Sequence, residues 1–262
     1  ELLTHGQAVI RDTVSNKDRA VGTRLAGEIA FLFGEGQFNG TLQYRLRGVA
    51  GQSLGAFLTH GIELRLKGLA NDYVGKGMSG GLITIRMPRD IREHGKEHTM
   101  IGNVALYGAT GGTLFVAGRA NERFAVRNSG ASAVVEGVGN HACEYMTRGV
   151  VIVLGEIGFN FGSGMTGGTA YLFNLSDADR EHLNTDFILE ESITESDEFT
   201  ITRLLERHRF HTGSLKTSDI LENWEAEKQK FSKITPLVMQ FLDSKALYDQ
   251  QVSQRLSLVL NE

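Results

Sequence analysis

The chain of 262 residues contains little cysteine, no long apolar run and no excess of basic charge. Its single cysteine, Cys143, excludes an internal disulfide and by itself cannot supply the thiolates of an iron–sulfur cluster. No apolar run approaches the ~18 residues of a membrane span, and no secretory signal is visible. A formal net charge of −4 argues against nucleic acid as the main partner. We therefore expect a cytoplasmic protein without a membrane contact. Its first residue is Glu1 rather than Met, which we take as the mark of a processed product or a fragment.

Glycine, in contrast, is abundant: the chain has 32 glycines and only 2 prolines. A glycine has no side chain to pack, so these residues must serve backbone geometry. Many of them flank short alternating segments that recur about every twenty residues, and a charged insertion at residues 88–99 lengthens one interval. The seven segments are TLQYRLRG from Thr41, GIELRLKG from Gly61, GLITIRM from Gly81, GTLFVAG from Gly112, ASAVVEG from Ala131, GVVIVLG from Gly149 and GTAYLFN from Gly168.

Each segment has the period of two that is typical of a half-buried strand. In the segment from Gly61, for example, Ile62, Leu64 and Leu66 are predicted to face a core, and the charged residues between them to face water. One such repeat cannot bury its apolar side alone, whereas stacked repeats share a continuous core. The sequence therefore predicts an all-β solenoid of about seven coils over residues 37–175.

Helical patterns flank this region. Val21, Leu25 and Ile29 have helical spacing, which predicts a helix within the lead-in of residues 1–36. After residue 175 the glycine-rich pattern ends, and we expect a mostly helical tail over residues 176–262. Its predicted helix starts are at Ser176, at Ser196 and at Thr217 or Ser218, and its predicted stop is at Gly213.

Three stretches closely resemble the C-terminal domain of the glutamate synthase large subunit, a family named for its G-x-G-x-G repeats. They are LTHGIELRLKGLANDYVGKGMSGGLITI, ALYGATGGTLFVAGRANERFAVRNSGASAVVEG and GSGMTGGTAYLFN, and the likeness extends into RLAGEIA and LLERHRFHTGS. The resemblance implies a right-handed β-helix. In GNHACEYMTRG, however, Asn140, Ala142 and Arg148 depart from the family pattern, so we expect the local turn to differ there.

The resemblance also implies a function. The parent enzyme makes two glutamates from glutamine and 2-oxoglutarate, which assimilates ammonia. It uses a glutaminase domain, an FMN-bearing barrel and an iron–sulfur cluster, with electrons from an NADPH-dependent reductase subunit or from ferredoxin. The domain that this chain resembles would be non-catalytic and structural, spacing the glutaminase and FMN domains and supporting assembly. We accordingly expect no catalytic, cofactor-binding or metal-binding residue in this chain, which would be inactive alone.

Several motifs nevertheless resemble sites. GKGMSGG from Gly75 and GSGMTGG from Gly162 match the G-x-G-x-x-G of a dinucleotide-binding turn, but strand-like rather than helical segments follow both, so we predict turns without a nucleotide. GQSLG matches a nucleophile elbow at Ser53, although no alternating helices surround it. We interpret it as a turn.

His94 and His98 have a spacing that zinc ligands use, and His141, Cys143 and Glu144 lie close together in sequence. We predict solvated histidines in the first case and a buried free cysteine in the second. Trp224 is either an anchor for another domain or part of this chain's own packing.

Two other functions remain as alternatives. A polysaccharide-acting enzyme would need acidic residues stacked at one repeat position, but Asp72, Glu136, Glu144 and Glu156 are scattered. The other is a β-helix subunit of a different oxidoreductase complex, against which the RLAGEIA lead-in and the helical tail favour glutamate synthase.

Overall fold

The structure, a computed structural model, describes residues 6–34, 36–88 and 98–240. Its strands are β1 Gln7–Val14, β2 Thr41–Ala50, β3 Ile62–Ala70, β4 Ser79–Arg86, β5 Thr99–Ile101, β6 Gly111–Ala117, β7 Arg119–Ala120, β8 Ser129–Val135, β9 Arg148–Val153, β10 Thr169–Phe173, β11 Ile188–Ser192 and β12 Phe231–Pro236. Its helices are α1 Thr23–Phe33, α2 Asp177–Arg180, α3 Glu195–Thr212, α4 Leu215–Glu222 and α5 Trp224–Glu227, with a 3₁₀ turn at Lys228–Lys230.

The twelve described strands belong to one mixed sheet in the order β1-β2-β3-β4-β6-β8-β9-β10-β12-β11, with β5 pairing with β3 and β7 beside this path. Neighbours from β1 to β10 are parallel, whereas β12 runs antiparallel to both β10 and β11. The prediction of an all-β solenoid, a right-handed β-helix of about seven coils, is therefore wrong. The described chain forms an open, mostly parallel sheet with helices packed on it, which points to an α/β fold.

The seven alternating segments all contain strands, and their repeat sets the register of the sheet. Leu42 pairs with Ile62, and Leu64 with Ile83, so equivalent positions of successive segments lie side by side. A period of two describes only which side chains share a face of a strand. It contains nothing about which distant segment will cover the other face, and this is why the predicted architecture failed.

Both faces of the sheet are buried in its middle. On one face Leu64, Ile83 and Leu114 belong to a core that extends along the whole row of parallel strands. On the other face, Phe115 and Ile152 pack against α3 and α4 in a second apolar cluster. Because helices cover this second face, β4 has four consecutive buried residues from Leu82 to Ile85 instead of an alternating pattern.

The connections between the strands share an unusual backbone pattern. In six of them, three residues at alternate positions have positive φ. These triplets are Ser53, Gly55 and Phe57; Tyr73, Gly75 and Gly77; Val104, Leu106 and Gly108; Arg123, Ala125 and Arg127; His141, Cys143 and Tyr145; and Asn160, Gly162 and Gly164. Successive connections also hydrogen-bond to each other, as when the N–H of Phe57 donates to Lys76 O at 2.8 Å and that of Gly77 to Tyr107 O at 2.8 Å. The G-x-G of each motif thus occupies two positions of such a triplet.

The C-terminal region is less helical than the sequence predicts, because β11 and β12 return to the sheet edge beside β10. Helix α2 has its predicted N-cap, Ser176, in a capping box, and Gly213 ends α3. The other two starts differ from the prediction: Thr194 caps α3 and Ser214 caps α4. Each of these two caps accepts a hydrogen bond from the N–H three residues later. Several Ser and Thr residues lie near each helix start, and the sequence alone does not show which of them makes this bond.

Glycine-to-alanine changes should show which glycines are required because another backbone lies close to them and which only add flexibility to the unfolded chain. A Cβ at Gly80, the first of the paired glycines in GKGMSGG, would lie 2.7 Å from the backbone nitrogen of His60. We expect Gly80→Ala to lower the free energy of unfolding by about 1–3 kcal/mol, as overpacking does. In α1, a Cβ at Gly27 meets nothing within 4 Å, so Gly27→Ala should raise stability by about 0.5–1 kcal/mol. Urea unfolding measures both, and equal effects would contradict the close approach.

Candidate functional site

A basic cavity lies on the second face of the sheet, at the end where β1 to β4 form the edge. Its volume is about 430 Å³. We call the six cations that line it the basic face: Arg11 of β1, Arg45 and Arg47 of β2, Arg65 and Lys67 of β3, and Arg86 of β4. Asp12, Thr84 and His211 complete the polar lining.

The strand register places these cations directly beside one another. Arg11 pairs with Arg45, which pairs with Arg65 on the next strand. In the next row, Arg47 pairs with Lys67, which pairs with Arg86. Adjacent strands are about 4.8 Å apart, and like charges directly opposite each other destabilise a sheet. The arrangement therefore favours an anionic group above it.

Two of the cations have partners on their own strands. The guanidinium of Arg45 donates to Gln43 Oε1 at 2.8 Å, and that of Arg65 to Glu63 Oε2 at 2.6 Å. Within the described ranges, no ion pair joins Arg11 or Arg47 to a carboxylate. The face thus keeps an excess of positive charge in a chain whose net charge is negative.

Helix α3 ends beside this cavity and feels its charge. Burial, followed by the nearby Arg65, lowers the pKa of His211 below its ordinary value. The His211 ring stacks on Phe115 at 5.9 Å between centroids and contacts the ring of Phe210 at 5.0 Å. Phe210 itself is 80% exposed. The cavity therefore has an exposed aromatic side chain near its rim.

A buried acidic cluster joins the start of α4 to the end of β8. Ser214 Oγ donates a short hydrogen bond to Glu136 Oε1, and His208 Nε2 lies 3.8 Å from the same oxygen. Burial alone would raise the pKa of Glu136, but the interactions with His208, Ser214 and the charge of Lys216 outweigh it and hold that pKa below its ordinary value. Ser214 donates to the carboxylate rather than to the histidine, and the whole cluster is buried, so it does not form a serine nucleophile.

A second acidic cluster fixes the other end of α3. The hydroxyl of Tyr171 on β10 donates to Asp197 Oδ1 at 2.6 Å, and Lys233 on β12 lies 3.1 Å from the same oxygen. Asp197 also completes the capping box with Thr194. Burial opposes the charged form, but these hydrogen bonds lower the pKa of Asp197 to about 2. Burial and the Asp197 carboxylate in turn raise the pKa of Tyr171.

The two G-x-G-x-x-G motifs lie in turns that are filled by aromatic rings. Strands β4 and β10 follow them, and neither motif opens a helix. A Cβ at Gly77 would lie 2.7 Å from the ring of Phe57, and one at Gly164 would overlap the ring of Tyr145. These glycines therefore leave room for the aromatic side chain of the preceding connection.

The other sequence candidates do not assemble into one site, although His141 Nδ1 lies 3.9 Å from Glu144 Oε1. Ser53 lies in a turn with φ 67°, and its N–H donates to Asp72 O. Cys143 is fully buried in the first core, and burial raises the pKa of its thiol. The His141 side chain is one third exposed, with Nδ1 3.1 Å from the Asn160 amide. Cys143 is thus fully buried while the side chain of His141 is partly exposed, although both residues belong to one positive-φ triplet.

The remaining candidates have simple surroundings. His98 is exposed, while His94 lies outside the described residues. Trp224 is partly buried and packs against Phe231 of β12 at 5.8 Å between centroids, so it belongs to this chain's own packing.

The scattered acidic residues are each engaged locally. Glu144 pairs with Arg123 at 2.7 Å, Glu156 with Arg119, and Asp72 Oδ1 accepts from the N–H of Asn103 at 2.8 Å. Across residues 6–34, 36–88 and 98–240, no group of three or more His, Cys, Asp or Glu side chains is placed to hold a metal ion. In the same described ranges, no helix is both long and apolar enough to cross a membrane.

Sequence reasoning missed the basic face and both acidic clusters. The basic face could have been predicted, because RLRG and RLKG place cations at equivalent alternating positions of two successive repeats. Nothing local marks Glu136 or Asp197, whose partners are distant in sequence.

These repeats and turns define a known class of domain. The profile of the family described as GXGXG motif matches residues 1–237, and the chain belongs to this family. The resemblance noted from the sequence is thereby confirmed.

The curated relatives are glutamate synthases. The chain is 49% identical over 224 residues to the ferredoxin-dependent glutamate synthase of Pyropia yezoensis, covering 85% of this chain and 15% of that protein. It is 45% identical over 233 residues to the glutamate synthase [NADPH] large chain of Bacillus subtilis, covering 88% and 15% respectively. For the chloroplastic ferredoxin-dependent enzyme of Spinacia oleracea, the identity is 41% over 256 residues, covering 96% and 16%. The chain thus spans about one seventh of the length of these relatives.

Comparing Gly77 with Gly108 separates two contributions to stability, the close contact with Phe57 and the strain of a left-handed backbone. Gly77 and Gly108 occupy the same triplet position with φ 63° and 65°, but a Cβ at Gly108 meets nothing within 4 Å. Gly108→Ala should therefore cost about 1–2 kcal/mol of stability from the left-handed backbone alone. Gly77→Ala should cost more, and Phe57→Ala should remove the difference. Chemical denaturation of the four variants measures this; equal losses for both glycines would show that the ring moves aside freely. Calorimetric titration with NADP should show no binding before or after the change.

The Asp197 cluster predicts an acid dependence of stability. Because the folded pKa of Asp197 is about 2 against an ordinary 3.8, its carboxylate stabilises the fold fully above about pH 5, and this contribution is lost as the pH falls toward 2. Asp197→Asn should therefore be clearly less stable than the unchanged chain at pH 7, and the gap should shrink by pH 2.5. Urea unfolding at several pH values measures the gap. Asp186→Asn, which changes an exposed carboxylate before β11, is the control; a gap that is constant with pH would contradict the prediction.

Proposed function

We propose that this chain is a non-catalytic structural domain of a glutamate synthase large subunit, spacing the glutaminase and FMN domains and supporting their assembly. The observation that carries the proposal is the combination of a family match over residues 1–237 with relatives of which it spans about one seventh. Under this proposal the domain takes part in ammonia assimilation and glutamate biosynthesis through the reaction of the whole enzyme. The electron donor is then ferredoxin or an NADPH-dependent reductase subunit, matching the two kinds of relative.

The surroundings of the reactive side chains support a structural role. The single thiol is buried in the core, and Ser214 is committed to capping α4 and to Glu136. The glycine motifs that could cradle a phosphate instead accommodate aromatic rings. In the proposed parent, FMN and the iron–sulfur cluster belong to the other domains, since one cysteine cannot ligate a cluster.

We also propose the division into a lead-in of residues 1–36, a GXGXG region of residues 37–175 and a tail of residues 176–262. These are segments of sequence rather than separate folding units, because β1 pairs with β2 across the first boundary and β12 with β10 across the second. Such pairing supports a single rigid spacer.

The proposal predicts that the isolated chain forms no glutamate from glutamine and 2-oxoglutarate with reduced ferredoxin or NADPH as donor. In the assembled large subunit, Gly80→Ala should lower glutaminase and synthase activities together, in proportion to the loss of folded enzyme, whereas the Gly27→Ala control should leave both unchanged. Amino-acid analysis and separate assays of the two half-reactions measure this. Turnover by the isolated chain, or loss of one half-reaction alone at full folding, would overturn the structural role.

A further inference from the structure

The second face of the sheet changes character where its helical cover ends. Over β6 and β9 this face is apolar and lies under α3 and α4, with Phe115 and Ile152 fully buried. Helix α3 packs on β4 at Leu82, which belongs to the same cluster, its last turn brings His211 to the cavity, and Gly213 then ends the helix. Beyond this point the equivalent positions of β3 and β2 are cationic. The exposed part of the face is therefore built from different residue types than the covered part.

The cations of the basic face stand in two rows across neighbouring strands. Like charges directly opposite each other destabilise a sheet. Burial is the main cause of the lowered pKa of His211, and the charge of Arg65 lowers it further while that of Glu63 opposes the change. A carboxylate-bearing surface above the face would turn this repulsion into attraction.

We infer that the basic face receives an acidic surface of another domain of the glutamate synthase large subunit, an inference that rests on the proposed function. The two rows of cations match several carboxylates spread over a polypeptide surface better than one small anion. Arginine, which supplies five of the six cations, pairs with carboxylates through two parallel hydrogen bonds. The exposed ring of Phe210 beside His211 adds an apolar anchor of the kind found at the centre of protein interfaces.

Carbodiimide cross-linking of the assembled large subunit tests this inference, because the reagent joins a lysine directly to a carboxylate that it touches. Lys67 is the lysine of the basic face, and Arg47→Lys adds a second amine beside it. Mass spectrometry of the digested enzyme should find Lys67 and Lys at position 47 joined to one acidic stretch outside these 262 residues. Lys76, in the connection before β4, is the control amine and should not join that stretch.

Charge reversal provides the second arm. Arg45→Glu with Arg47→Glu should lower the yield of the Lys67 cross-link at least about tenfold, since like charges across an interface are strongly disfavoured. Arg45→Lys with Arg47→Lys keeps the charge and should retain the cross-link, which separates lost attraction from misfolding. Arg148→Glu, an equally exposed reversal on β9, should leave the yield unchanged.

Four results would overturn the inference. Cross-links from Lys67 only to residues of this chain, or an unchanged yield after charge reversal, would overturn the inference. So would retention on immobilised duplex DNA at 150 mM salt that disappears on charge reversal without any cross-link, because the face would then bind nucleic acid. A cross-link to an acidic stretch of a separate polypeptide would also overturn the inference, which commits to a domain of the same large subunit, while the proposed structural role is tested separately by the activity assays.

Discussion

Close approach between successive backbones is the constraint on which the rest of this structure depends. Parallel strands are joined by connections that lie against one another, and a Cβ would collide with the neighbouring backbone at several glycines. At Gly80 it would meet His60, and at Gly167 it would overlap the carbonyl of Thr147. Other glycines supply the positive φ that recurs at alternate positions of the connections. The glycine motifs are therefore structural, and one arrangement accounts for both G-x-G-x-x-G matches.

The sheet buries apolar side chains on both faces, and helices α3 and α4 cover the second face. Buried polar contacts fix the two ends of α3 on that face. Glu136 accepts a hydrogen bond from Ser214 at the junction of α3 and α4. Asp197 connects the start of α3 to Tyr171 and Lys233. Both acidic groups are buried with hydrogen-bond partners, which a folded chain requires of buried charges. Between these two points α3 lies over apolar side chains. Past its end, the sheet presents the basic face.

This distribution suits a domain whose task is to position other domains. Its rigid part is a continuous sheet into which both termini of the described chain are woven through β1 and β12. Among the described residues, the thiol of Cys143 is buried and Ser214 is hydrogen-bonded to Glu136, and the basic face lies where the helical cover stops. A spacer needs a stiff body and a specific contact; the continuous sheet fits the first, and the proposed docking of the basic face would supply the second.

Local sequence determined much of this protein. The alternation around Leu64 marked a strand and its inward side, the repeat marked which positions would lie beside it, and the strand-like segments after both glycine motifs predicted that neither motif opens a helix. Only the tertiary structure decided the architecture, the return of β12 to the sheet, and the partners of Glu136 and Asp197. The physical reason is range: strand period, caps and turns depend on neighbours a few residues away. The choice of which distant helix covers a face, and where that cover ends, depends on the packing of segments that only the folded chain brings together.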